Sequence, residues 1–415
     1  MTKSASITSL SADAVILGGG LVGLSLAVAL GRAGIATVVV DRERPATAAA
    51  DPFDGRGSAI AWGSAQVLRG LGLWQHMAAH AAPIKEIRVS DGDSLLFLHY
   101  DHRALGDEPL GYIVENRFTR RALYAHIAGL AEVTLLAPAR AVALERSAAG
   151  VAVRLEDGRS IKARLAVGAD GRESPSRRSA GINVMRWSYP QTGIVCSIRH
   201  EKPHRGMAHE RFLPAGPFAV LPLPDAENGE HRSSIVWTER DTLAPAMMAL
   251  DDAEFSQEIA QRFGDSLGAI AVAGPRWAYP LSLLQAERYT DLRLALIGDA
   301  AHVIHPIAGQ GLNLGLRDVA ALAECIVDAR RLGLDIGAAD VLARYQRWRR
   351  FDNLTLMAVT DGLNRLFSND LAPVRLARDI GLAIVDRMPP LKRLFMRHAM
   401  GTLGELPRLA RGEAL

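Results

Sequence analysis

The chain has 415 residues, of which 49% are apolar and 22% charged, and its formal net charge is +3. These values fit a globular protein with one large core or two to three domains, and they give no reason to expect nucleic acid as a partner. The charge is uneven: residues 341–415 hold 13 Lys and Arg against 7 Asp and Glu, so the first 340 residues carry −3 and the tail is basic.

Ala14 to Gly31 is a run of 18 residues without a charge, long enough to raise a membrane span. Five of the 18 are glycines and Asp13 precedes them, which argues against both a span and a secretory leader. Within the run, residues 14–17 predict a short buried strand. Gly18, Gly20 and Gly23 spell GxGxxG, residues 24–32 predict a helix ended by Gly34, and residues 36–40 predict a second strand closing on Asp41. In this motif the first glycine makes a tight turn, the second lets backbone approach a pyrophosphate, and the third lets helix pack on strand. Asp41 lies 23 residues after Gly18, where a ribose-binding acid is expected. An acid there favours an unphosphorylated adenosine ribose, so FAD or NAD.

Residues 64–73 predict a helix with Val67, Leu68 and Leu71 on one face, and residues 84–90 and 95–100 predict strands. A short apolar run at 163–167 leads into Gly168-Ala169-Asp170-Gly171, with Ser174 placed to cap a helix. By itself Asp170-Gly171 reads equally well as a plain turn. Strands at 192–198, 207–212, 218–223 and 233–238 follow one another across short polar breaks, which favours an antiparallel sheet over βαβ units. Leu294–Asp318, LALIGDAAHVIHPIAGQGLNLGLRD, is the most informative stretch. It predicts a strand ending at Gly298-Asp299, a loop broken by Gly and Pro, and a helix opening at Gln310-Gly311, whose first amides face any polar ligand before it. His302 and His305 stand three apart with no third ligand nearby, so no metal is expected. No GxSxG elbow is present to support hydrolysis. Cys196 and Cys325 are far apart and outside any CxxC, which fits a reducing cytosol.

Taken together, Gly18–Gly23, Asp170-Gly171 and Gly298-Asp299 resemble, in order and spacing, the three nucleotide motifs of the group A flavoprotein monooxygenases, and the likeness covers essentially the whole chain. Within that class, IGDAAHVIHPIAGQGLNLGLRD and the later GLNRLFSND (362–370) are most similar to the ubiquinone-biosynthesis aromatic-ring hydroxylases. The resemblance implies an α/β fold. A Rossmann-like FAD-binding domain (1–83, 111–182 and 279–340) holds an inserted antiparallel-sheet substrate domain (84–110 and 183–278), and a helical region follows at 341–415.

It also implies roles. Asp41 would hold the adenosine ribose, and Arg56, in DGRGSAIA, would sit near the pyrophosphate. Asn116 and Arg121, in ENRFTRRAL, would touch the cofactor, and Asp170 would lie near both FAD and the reductant's path. Asp299 would bind the ribityl or pyrophosphate region, Pro306 would lie over the flavin, and the Gly311 and Leu312 amides would face its pyrimidine edge. Gln310 is a candidate polar contact near the substrate ring.

The implied activity is hydroxylation of the ring of a polyprenyl phenol, with O₂, by way of a flavin C4a-hydroperoxide and with NAD(P)H as reductant. With no second GxGxxG, NAD(P)H has no domain of its own. Alternatives on the same scaffold are a prenyl-lipid reductase or epoxidase, or a non-catalytic FAD-binding member of a biosynthetic complex. The run LKRLFMRHAM after Pro389-Pro390 is basic and amphipathic, so peripheral contact with a membrane surface from the cytoplasmic side is a second expectation, against packing on the body.

Overall fold

The computed structural model describes residues 9–45, 56–92, 94, 96–367, 378, 381 and 384–415. The last part of the 362–370 motif and the Asp54-Gly55 before Arg56 lie outside these residues.

The first βαβ unit forms where the apolar pattern predicts it. Strands Ala14–Leu17 and Thr37–Val40 flank helix Leu21–Arg32, and every strand residue is buried. They sit at the centre of a six-stranded sheet in the order Thr290–Asp291, Leu294–Leu296, Leu165–Gly168, Ala14–Leu17, Thr37–Val40, Val133–Leu136. All its pairs are parallel except the short Thr290–Asp291 edge. The second motif therefore ends the strand beside the first and the third motif the strand beyond that, and all three loops leave the sheet at its C-terminal edge, where doubly wound folds bind ligands. The helix Gly311–Arg331 packs on Leu21–Arg32 at Gly315, where a Cβ would lie 2.5 Å from Val22. Strands Ser9–Ser11, Ser160–Ala163, Gly150–Leu155 and Ala141–Ser147 form a flanking four-stranded sheet.

A nine-stranded sheet lies over that edge. Its path runs His302–Val303, Trp277–Ala286, Val184–His200, His231–Arg240, Gly216–Leu223, Met207–Leu213, Glu86–Asp91, Phe97–Asp101, with Ile270–Val272 added beside Val184–His200. Its pairs are antiparallel save one: Met207–Leu213 runs parallel to Glu86–Asp91. The sheet takes in Trp277–Ala286, so the limit expected at 278 falls inside a strand. The single strand predicted at 84–90 is two. Ala81–Ile84 joins Gly111–Glu115 and Gly57–Ala61 in a three-stranded sheet, and Glu86–Asp91 starts the large one. The break is at Lys85, whose N–H donates to Gly206 and whose carbonyl accepts from His102.

One face of the large sheet packs Ile194, Ile198, Phe218, Ile235 and Trp237 on helix Asp252–Phe263. The other face looks toward the loops. The chain closes with helix Ala339–Phe367 and helix Pro389–Met400. No helix among the described residues is long and apolar enough to cross a membrane.

Candidate active site

The three motif loops line two concavities, the first two loops one and the third loop the other. The first is a polar crevice of about 820 Å³ lined by Gly18, Gly20, Asp41, Arg42, Asp170 and Gly171, among others. Gly18 has φ +113° and its Cβ would lie 2.2 Å from the Ala169 carbonyl oxygen, so only glycine fits. Gly23 is excluded from any side chain by the Gly18 carbonyl at 2.0 Å. Gly20 differs: its backbone is extended, and a Cβ there would meet nothing within 4 Å. That open space at a helix N-terminus is the place where backbone approaches a pyrophosphate. Asp41 is held across the turn by the Gly19 N–H and accepts a second bond from the Glu43 N–H at 2.6 Å.

Asp170 also lines the crevice, but its oxygens are engaged by its own loop. One accepts from the Ser174 hydroxyl, the other from the Ser176 N–H at 2.9 Å and hydroxyl at 2.6 Å. Ser174 caps the short helix Pro175–Ser179 as predicted, accepting from the Arg177 N–H at 3.0 Å.

The second concavity is an apolar cavity of about 320 Å³ between the large sheet and the Pro306–Asn313 loop. Arg56, Asn116, Pro306 and Gln310 line it, with Val195, Ala219 and Val236 from the sheet. Arg56 extends over the Tyr279 ring at 5.9 Å. Asn116 accepts from the Ser58 hydroxyl at 2.6 Å, and its N–H donates to the Arg56 carbonyl at 2.9 Å. The sequence thus places Arg56 and Asn116 side by side although 60 positions separate them. Just before Asn116, Glu115 is buried between Arg117 and Arg232 at the start of helix Asn116–Ala128. Asn313 stitches the loop to strand Gly57–Ala61, accepting from the Ala61 N–H and donating to the Ala59 and Gly309 carbonyls, all within 3.2 Å. Gly311 and Leu312 open helix Gly311–Arg331, where first-turn amides have no intrahelical acceptor. Arg121 is exposed, lies over Phe118 at 5.8 Å, and lines neither concavity.

Asp299 stands between the two concavities. The residue is exposed at the surface while protein crowds its carboxyl. That enclosure raises its carboxyl pKa, with His302, Arg172 and Arg56 pulling the other way.

Its position is set from behind. Asp318, fully buried, accepts from the Gly298 N–H at 3.0 Å, pairs with His302 Nε2 at 2.6 Å, and accepts from Arg349 Nε at 2.9 Å. Burial alone would raise its pKa, but His302 and Arg349 outweigh it and hold the carboxyl at about 2. Arg349 continues to Asp352 at 2.7 Å and to Asn353 at 2.6 Å. Arg177, also buried, ties two motifs together by donating to the Ala300 carbonyl at 2.7 Å and the Arg172 carbonyl at 2.8 Å.

Asp318, Arg349 and Arg177 carry no local signal in the sequence beyond Asp318's place at the end of the third motif. His302 and His305 do not share a ligand: His302 belongs to Asp318, and His305 lies edge-on to Tyr189 with ring centroids 5.1 Å apart. His305 is fully buried with neither ring nitrogen partnered, and burial lowers its pKa to about 4.

A nucleotide crevice opening beside an apolar cavity under a separate sheet defines a flavin-nucleotide enzyme of the aromatic-hydroxylase kind. The chain belongs to that family: a family model described as an FAD binding domain matches residues 11–350. It is similar to the "Ubiquinone hydroxylase UbiL" of Rhodospirillum rubrum, 54% identical over 407 residues, 97% of this chain and 94% of that one. The "3-demethoxyubiquinol 3-hydroxylase" of Escherichia coli is 36% identical over 401 residues, 95% of this chain and all of the other. Among solved structures, PqsL, titled a probable FAD-dependent monooxygenase from Pseudomonas aeruginosa, is 27% identical with a TM-score of 0.75, covering 89% of this chain and 100% of its own. The expected class, fold and FAD cofactor stand on these matches and on the crevice itself.

Proposed function

We propose that the chain hydroxylates the aromatic ring of a polyprenyl phenol in ubiquinone biosynthesis, using FAD, O₂ and NAD(P)H. The observation that carries this reading is the setting of Asp299. Its carboxyl feels both Arg172 of a crevice fitted to a dinucleotide and Arg56 of an apolar cavity fitted to a ring, so the third motif joins the two. The names of the two relatives supply the pathway.

In this reading the Gly18–Gly23 turn takes the pyrophosphate and Asp41 the adenosine ribose. Asp299 takes a hydroxyl of the ribityl chain, and Arg56 supports the phosphates from the cavity side. Pro306 packs beside the flavin ring, and the Gly311 and Leu312 amides donate to its pyrimidine edge. Asp170 acts through Ser174 and Ser176 by holding its loop open beside the crevice. Asn116 holds the strand that carries Arg56. Arg121, directed outward, is left out of the set. Bound FAD supplies the oxygen-activating redox chemistry. The chain's own part is to position the ring, exclude water and place polar groups, chiefly Gln310, beside it.

Turnover under ¹⁸O₂ with NAD(P)H and a prenylated phenol tests the reading. One labelled oxygen on the ring is expected, and unlabelled reduction of a prenyl double bond overturns it.

The finer expectation of membrane contact also belongs here. Ile384, Met388, Leu394 and Phe395 are exposed large apolar residues on the C-terminal segment, with Arg387, Arg393 and Arg397 exposed among them. This is the makeup of a helix that lies in an anionic lipid interface. The full chain is expected to float with vesicles containing anionic lipid and not with neutral ones, and Phe395→Glu to abolish flotation.

A further inference from the structure

The cavity has two ends, and they differ in chemistry. Strand Met207–Leu213 runs along it. Near its C-terminal end Phe212 packs with Ile307, the neighbour of Pro306, and with Phe367. Four residues earlier, roughly 13 Å along a strand, Ala208 packs with Ile84, Leu110, Met396 and Met400. Ala208 also continues a row, facing Ile87, which in turn faces Tyr100. Arg56 and Gln310 line the same cavity beside Pro306 and Gly309, whereas Ile84, Leu110, Met396 and Met400 give the other end an apolar wall; Glu210 lines the cavity between Ala208 and Phe212.

The far end is closed by one face of helix Pro389–Met400. Met396 and Met400 are one turn apart and buried at 1% and 7% exposure, while Leu394 and Phe395 on the outer face are exposed. The helix is fastened at both ends. Asp386, just before it, accepts from the His99 N–H at 3.1 Å and from Lys392 at 2.7 Å, which ties it to strand Phe97–Asp101. Its cap residue Gly401, at φ +72°, lies against Gly63, whose Cβ would come within 2.7 Å of the Gly401 carbonyl. Methionine is unbranched and polarisable, and it lines surfaces that must follow a flexible apolar ligand.

We propose that the Met396–Met400 face of this helix is a binding wall for the apolar chain of the substrate, and that it sets how much chain is held. The aromatic head lies at the Pro306 end and the chain runs the length of strand Met207–Leu213 to the helix. This rests on the functional reading above and adds to it a chain subsite and the residues that form it.

The test uses the FAD-loaded full chain and 2-prenylphenols carrying one, three or eight isoprene units. Binding is read from the absorbance change of the bound flavin and turnover from product. Met396→Trp fills the far end. For the three- and eight-unit phenols, affinity and kcat/KM are expected to fall at least about ten-fold, the equivalent of losing roughly two buried methylenes. For the one-unit phenol both stay within about two-fold. The double variant Met396→Ala, Met400→Ala removes contacts instead of filling space and is expected to give the same length-dependent loss, which guards against misfolding of the Trp variant. An equal effect on all three phenols, or none on any, overturns the proposal. Length-dependent binding with no hydroxylation by the unaltered chain would keep the chain subsite and overturn the hydroxylase reading instead.

Discussion

The crevice and the cavity flank the Asp299 loop yet are built on opposite principles. The crevice is made of backbone and of glycines whose missing side chains define its shape. The cavity is made largely of side chains brought together from several strands of the large sheet, from the Arg56–Ala61 segment, from the Pro306–Asn313 loop and from a distant helix. A backbone site is written in contiguous residues because steric limits act on neighbours. A side-chain site depends on strand alternation and register, so its members are scattered. The contrast also predicts how each breaks. The crevice should lose ligand without losing fold, whereas the groups behind the Gly298-Asp299 turn should cost stability first.

The largest effect is expected from Asp318→Asn. It strips the charge partner from buried His302 and Arg349 and the acceptor from Gly298, and breaking a buried pair of this kind costs about 3–5 kcal/mol. Denaturant unfolding would measure it. An unchanged midpoint would mean the loop is not held from behind.

The apolar side has its own pH signature. His305 has its pKa lowered from 6.5 to about 4 by burial. The unfolded chain therefore takes up the proton first. Stability is intact above about pH 6.5 and falls as pH drops toward 4, by about 3 kcal/mol at ~1.4 kcal/mol per unit. His305→Phe should remove that part of the slope in unfolding measured from pH 7 to 4. His209, lowered to about 4 for the same reason, contributes in the same sense and remains in the variant.

Gly20→Val sharpens the contrast from the crevice side. The backbone tolerates a side chain, and the space is open. Circular dichroism and the melting temperature should stay near those of the parent, while FAD affinity falls on the order of 100-fold because the side chain fills the pyrophosphate cradle. Full flavin retention would remove the assignment of this crevice. The smallest effect is expected at Arg121→Ala. The side chain is exposed and outside both concavities, so stability should move by less than about 0.5 kcal/mol and flavin content not at all.

Several features were legible from the chain alone. The first βαβ unit, the Ser174 cap, the strand–loop–helix at 294–331 and most strands of the large sheet follow from apolar period, glycine placement and short polar breaks. Each depends on interactions within a few residues, so each leaves a local pattern. The family likeness was legible for the same reason, since its three motifs are contiguous. Arg121 shows the limit: a motif position suggested a cofactor contact, and the helix phase turns that side chain outward. The one strand read at 84–90 shows another, because its break at Lys85 is set by pairing with Gly206 and His102, far away in sequence.

What the sequence by itself determined is the nucleotide-binding frame, because glycine sterics and strand–helix periodicity act between near neighbours. Only the tertiary structure decided which residues support and enclose the site. Asp318 finds Arg349, Arg177 finds Ala300, and Met396 meets Ala208 through pairings that span tens to hundreds of positions. No local pattern encodes such pairs, since they arise from sheet register and helix packing across the whole fold.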